Sequence, residues 1–139
     1  MSQLVNQLLE AQKFAFSIRP KAGGFPVLAE VLRQAGVKTN RWELPSCQSV
    51  YVMEGGSVVQ QGTPLVSGVF EVPKFNQEAL ILALRKDQAG QGSFPEFLKS
   101  SWEAGVVAYD VDFADRKVIY YGVNGESYTE EYPHVEVKR

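Results

Sequence analysis

Residues 94–125 read FPEFLKSSWEAGVVAYDVDFADRKVIYYGVNG, and the pattern inside this stretch decides the fold class. Ser93-Phe94-Pro95-Glu96 has the spacing of a capping box, with Ser93 as N-cap and Glu96 reaching back from the third helical position. Phe94, Phe97, Leu98 and Trp102 follow at helical spacing and predict one buried stripe. Ala104-Gly105-Val106 then closes the helix, the glycine taking the left-handed position and the valine packing back on the last turn. Val107, Tyr109, Val111 and Phe113 alternate with Ala108, Asp110 and Asp112, which is the period of a half-buried strand. Ala114-Asp115-Arg116 turns the chain and residues 117–123 return as a strand. Asn124-Gly125 signals a hairpin into a last strand over 126–132.

An earlier stretch repeats this pattern. A shift of 69 positions lays Phe25-Pro26 on Phe94-Pro95, Ala35-Gly36-Val37 on Ala104-Gly105-Val106, Tyr51 on Tyr120 and Gly56 on Gly125. No gap is needed from 25 to 56, and these seven identities compare with about two expected by chance from ordinary residue frequencies. They also fall where backbone geometry is demanding. Each copy is preceded by a further helix. Over 3–17, Leu4, Leu8, Ala11 and Ala15 share a stripe. Over 77–88, with Asn76 as N-cap and Gly90 as terminator, the apolar centre Ala79–Leu84 predicts burial on more than one side. The first copy's strands are read as 41–44, 49–53, 57–60 and 65–72. The chain thus reads as one α+β domain spanning 1–139, built by internal duplication of a helix-helix-β-meander unit. The pseudo-repeats run about 4–60 and 75–132. One antiparallel sheet, or two facing sheets, would pack against about four helices with approximate two-fold symmetry.

Composition bounds the function classes. Hydrophobic residues make up 45% and charged residues 22% of 139 residues, as in an ordinary globular protein. A net charge of −2 argues against a nucleic-acid or anionic-membrane partner recognised by bulk charge. No apolar run has the length of a membrane span, and the N-terminus lacks the pattern of a signal peptide, so the cytoplasm is the expected compartment. One Cys and one His exclude a disulfide scaffold and a typical structural zinc site, and no cofactor is expected.

Aligning the copies sorts the strand faces. Trp42 with Val111, Leu44 with Phe113, Val50 with Ile119 and Val52 with Tyr121 are the expected core positions. The other parity gives Arg41, Glu43, Tyr51, Asp110, Asp112 and Tyr120 on one face. Three readings fit that face. It is a solvated surface with cross-strand ion pairs, a contact surface of a homodimer, or a small-molecule site between the halves. Cys47 is the one candidate nucleophile, but it needs a base, and the only histidine, His134, lies in the polar tail. A turn or core thiol is the better reading. Asp110 and Asp112 lie on one strand face, as an acid–base or metal pair requires, yet the usual accompanying acids and the glycine-rich ion loop are missing. Arg19, Lys21, Gly23 and Gly24 precede a helix N-terminus without completing a phosphate loop.

The phrases GGFPVLAEVLRQAGV (23–37), NRWELPSCQSVY (40–51) and FPEFLKSSWEAGVVAYDVDFADRKVIYYG (94–122) resemble the YbcV-like family of small bacterial proteins, some of which carry a phage-envelope-like label. The resemblance covers nearly the whole chain. It implies a bacterial or phage-related soluble α+β protein and carries with it no activity and no functional residue. Together these readings favour a non-enzymatic small-ligand-binding or interaction protein using a cleft or sheet face between its halves. The alternatives are a small enzyme using Cys47 or the carboxylates Glu43, Asp110 and Asp112, and a homodimeric structural subunit.

Overall fold

The computed structural model describes residues 2–138. Two helices come first, α1 (Gln3–Ile18) and α2 (Gly24–Gln34), then three strands, β1 (Val37–Glu43), β2 (Gln48–Met53) and β3 (Gly56–Gln61). The same order recurs as α3 (Gln77–Gln88), α4 (Phe94–Glu103), β4 (Ala108–Asp112), β5 (Lys117–Tyr121) and β6 (Ser127–Glu131). The six strands form one sheet in the order β3-β2-β1-β4-β5-β6, and every neighbouring pair is antiparallel. The architecture is α+β, with a six-stranded antiparallel sheet and four helices.

Local chemistry accounts for the element ends. Ser2, Asn76 and Ser93 each accept a hydrogen bond from the amide three residues on, which satisfies a donor that the helix itself leaves free. Gly36 and Gly105 follow α2 and α4 with φ of 96° and 88°. Gly105 is constrained twice, because a Cβ there would lie 2.4 Å from Phe75 Cα.

The core lies between the helices and one sheet face. Leu8 and Ala15 of α1, Val31 and Leu32 of α2, Leu80 and Leu84 of α3, and Phe97, Leu98 and Trp102 of α4 join Tyr51, Met53, Val58, Tyr109, Val111, Val118 and Tyr120 in one buried cluster. Polar ties confirm that the helices share a side. Gln12 of α1 donates to Gln60 of β3 at 2.8 Å, and Arg85 and Gln88 of α3 both donate to Glu130 of β6. The Phe94 ring meets the Trp42 ring edge-on at 5.3 Å.

Several expectations need correction. Residues 62–76 contain no strand, so the expected strand over 65–72 does not form. Pro64, Gly68 and Pro73 interrupt any ladder there. The segment is held at single points instead, by Leu65 N–H on the Pro45 carbonyl at 3.0 Å and by the Phe70 ring on Trp102. Helix α3 buries one stripe, not several sides: Leu82 is 72% exposed. Phe94, expected in the buried stripe of α4, is exposed at the start of the helix.

The inferred strand faces also change. Val50, Val52, Ile119 and Tyr121 are not core, whereas Tyr51 and Tyr120 are, at 5% exposure each. The registers explain this. Arg41 stands opposite Val50, and Asp110 opposite Ile119. Directly opposed residues share a sheet face, and here each pair joins an odd to an even number, so numerical parity inverts at the β1–β2 and β4–β5 hairpins.

Candidate functional site

The helix-free face of the sheet carries the charge cluster expected from the sequence. Arg41 sits at its centre on β1, with Nε 2.9 Å from Glu43 Oε1 and Nη1 3.0 Å from Asp110 Oδ1 on β4. Its guanidinium lies 5.6 Å from the centre of the Tyr121 ring. Glu43 first, then Asp110, hold the Arg41 guanidinium above its ordinary pKa, so it stays a fixed positive charge. Asp112 is on the same face but is engaged in the turn. Its Oδ1 accepts from the amides of Ala114 and Asp115 at 3.1 and 3.0 Å, an Asx arrangement that shapes the β4–β5 connection.

Around these charges the face is apolar where an open antiparallel sheet is ordinarily polar. Thr39, Arg41, Val50, Val52, Asp110, Asp112, Lys117 and Ile119 line a broad depression of about 550 Å³. Val52 is 40% and Val59 57% exposed. Arg41, Glu43, Asp110 and Asp112 are therefore brought together. Tyr51 and Tyr120 are not, since their rings occupy the opposite face under the helices. Sequence reasoning missed Val50, Val52, Ile119, Tyr121 and Lys117 as part of this surface. The missing signal was hairpin register, which was available in principle from the four-residue connections 44–47 and 113–116.

The remaining candidates resolve as structural groups. Cys47 is buried, and its thiol donates to the Leu44 carbonyl at 3.4 Å. Burial raises its pKa, which opposes formation of the thiolate a nucleophile requires. Among the described residues, no group of three or more His, Cys, Asp or Glu side chains has the arrangement to hold a metal ion, so the Asp110–Asp112 pair does not extend into such a cluster. No helix among them is long and apolar enough to cross a membrane.

A second polar cluster, not anticipated from the sequence, lies beneath the sheet. The buried residues of α3 are Leu80 and Leu84; Asp87, next along that side, is half-buried, and burial raises the pKa of its carboxyl while Arg19 pulls it back. Tyr109 and Tyr120 lie with ring centres 5.4 Å apart. Burial pushes both hydroxyls well up, and Asp87 adds to the shift of each.

The uncharacterized protein Rv2012 of Mycobacterium tuberculosis and the uncharacterized protein Mb2035 of Mycobacterium bovis are each 50% identical to this chain over 136 residues, covering 98% of it and 83% of the relative. The match thus includes both helix pairs, all six strands and the charged face. The chain also matches, over residues 13–131, a family described as "Protein of unknown function (DUF1398)", and to that family it belongs.

Proposed function

We propose that this chain is a non-enzymatic binding protein that holds a small amphipathic molecule on its open sheet face, across β1, β2, β4 and β5. The observation that carries this reading is the combination on that face of apolar side chains, exposed at Val52 and half-buried at Val50, Ile119 and Tyr121, with a pre-paired charge cluster. A depression of about 550 Å³ falls within the range of small-molecule sites. Val50, Val52 and Ile119 supply apolar area, and Arg41, Asp110 and Asp112 offer directional polar contacts. Arg41 is already held by two carboxylates, so little side-chain order remains to be imposed on binding. The raised pKa of Cys47 and the turn role of Asp112 weigh against the enzyme reading.

The same reading takes the two halves as copies of one ancestral unit. The β1–β2 and β4–β5 registers coincide under the shift of 69, Asn40 opposite Tyr51 and Tyr109 opposite Tyr120. The YbcV-like resemblance carried by residues 23–37, 40–51 and 94–122 names no ligand, so the proposal rests on geometry.

Amide chemical-shift mapping of the full chain against a library of small amphipathic compounds tests the proposal. Hits should perturb Thr39, Arg41, Val50, Asp110 and Ile119 together, and Arg41→Ala should weaken them about tenfold. Perturbations confined to the helical side, or hits indifferent to Arg41→Ala and Val52→Asp, would remove the open face as the binding surface.

A further inference from the structure

We infer that the free edge of β3 is a self-association site at which a second copy of this chain adds in antiparallel register, centred on Val59. β3 ends the sheet on one side, pairing only with β2. Its register fixes which backbone groups are spare. Gly62 N–H donates to the Cys47 carbonyl at 2.8 Å, and Gln60 and Val58 stand opposite Ser49 and Tyr51. Antiparallel partners alternate between bonded and non-bonded pairs. Gln60 and Val58 therefore bond inward to β2, while Ser57, Val59 and Gln61 turn their N–H and C=O groups outward. All three outward residues are exposed.

Edge strands are ordinarily guarded by charge, proline or brevity. β3, with sequence GSVVQQ, has no charge and no proline. β6, the other edge, carries Glu130 and Glu131. This asymmetry selects the occupant. An uncharged strand meets its own copy without like-charge repulsion, whereas pairing β3 to a foreign β6 edge would desolvate the exposed carboxylate of Glu131. Centring on Val59 sets Val59 against its own copy and Ser57 against Gln61, so each outward residue exchanges both main-chain bonds. The Val59 side chains then meet on the open face, beside Val50, which is opposite Val59 in β2. A two-fold pairing of this kind uses the same patch twice and closes at two copies, with the guarded β6 edges left outermost.

The inference does not depend on the ligand reading, since it concerns the edge and not the depression. Sedimentation equilibrium of the full chain from micromolar to millimolar concentration should show the mass rising to twice that of the monomer. Val59→Lys places two like charges together and should shift the dimerisation constant at least tenfold towards monomer. Val59→Thr, which keeps the β-branch, should dimerise like the parent. Hydrogen exchange on the parent protein supplies a second readout that no substitution can confound. Amides of Ser57, Val59 and Gln61 should gain protection as concentration rises, while Val58 and Gln60 are protected throughout. A protein monomeric over the whole range overturns the inference. So does association unaffected by Val59→Lys and without added protection at Ser57, Val59 and Gln61; if Val52→Asp abolishes it instead, the open face is the contact.

Discussion

Arg41 and Asp110 face each other across the central strand pair, Arg41 Nη1 lying 3.0 and 3.1 Å from the two carboxylate oxygens. Among the β1–β4 partners, only this pair joins residues that the shift of 69 makes equivalent. Thr39 with Asp112 and Glu43 with Ala108 exchange places under the same shift. On the proposed duplication, an antiparallel pair of copied segments has one such self-matched position, at the two-fold axis between the copies. The charge pair therefore stands where the halves meet, with opposite charges at a position that identical sequences would fill with like ones.

Its energetic weight is predicted to be small. The side chains are 49% and 36% exposed, so water screens the attraction. A double-mutant cycle with Arg41→Ala and Asp110→Ala, followed by urea unfolding, should give a coupling of about 0.5 kcal/mol that shrinks with added salt. A coupling above about 2 kcal/mol would show that the pair is a structural clamp instead of a surface feature.

Much of this arrangement was legible in the residues. Both capped glycines, the capping residues Asn76 and Ser93, and the hairpin after Tyr121 are local signals, and local sterics decide them. The pairings of Arg41 with Glu43 and of Asp110 with Asp112 come from period-two alternation along single strands, which is also local, and the alignment of the two copies joins the pairs on one face. What failed was non-local. Tyr51 and Val50 each fit the alternation of β2 equally well, and only the hairpin connection chooses which one joins Trp42 in the core. Tyrosine has a polar tip that suits either face, so its chemistry could not break the tie. Asp87 was invisible for a different reason: a carboxylate at the end of an apolar stripe reads as solvated, yet here it is half-buried.

The buried tyrosines should respond unequally to loss of their hydroxyls. Tyr51 OH accepts from Gln12 Nε2 at 3.4 Å, a long bond inside a chain that continues to Gln60. Tyr109 and Tyr120 are 6% and 5% exposed, but among the described residues the one fully buried side-chain polar atom without a hydrogen-bond partner is Ser101 Oγ, so the tips of these two tyrosines, which no protein group among those residues binds, still reach solvent. Removing a hydroxyl that keeps its water contact costs little. Tyr109→Phe and Tyr120→Phe should leave stability nearly unchanged, while Tyr51→Phe should lower it by about 0.5–1 kcal/mol. Urea midpoints of the three variants decide the matter. Losses above about 1 kcal/mol at Tyr109 or Tyr120 would show that those hydroxyls are bonded, through water, to Asp87.

Acid sensitivity should trace to Glu30. Its carboxylate takes Arg33 Nε and Nη2 at 2.9 and 2.7 Å and Gln34 Nε2 at 3.0 Å, and Gln34 also donates to the Val137 carbonyl. The Arg33 hydrogen bonds lower the Glu30 pKa from 4.5 to about 2, against the opposing effect of burial. A depressed acid stabilises the fold above its unfolded pKa. That contribution is lost as the pH falls from about 4.5 towards 2. Arg33 is half exposed, which discounts the full shift, and about 1–2 kcal/mol is expected. Glu30→Gln should therefore be destabilising at pH 7 and nearly neutral near pH 2. A stability difference that is flat between pH 6 and pH 2.5 would assign the acid sensitivity elsewhere.

The two tight connections 44–47 and 113–116 make a sharper test of equivalence between the halves. Cys47 and Arg116 are the only non-glycine residues with positive φ among those described, at 55° and 52°, and they stand 69 positions apart. Left-handed geometry costs a residue with a Cβ on the order of 1 kcal/mol, and glycine largely avoids that cost. The surroundings differ, however. Arg116 is exposed, so Arg116→Gly should gain about 0.5–1 kcal/mol in thermal or urea unfolding. Cys47 is buried and its thiol reaches the Leu44 carbonyl, so Cys47→Gly gives back the strain relief as lost packing and should be neutral or destabilising by about 1 kcal/mol. Equal gains at both sites would mean that the Cys47 side chain contributes nothing to the core. A loss at Arg116 would mean that its side chain, through the neighbouring Tyr132, holds the turn more strongly than backbone strain opposes it.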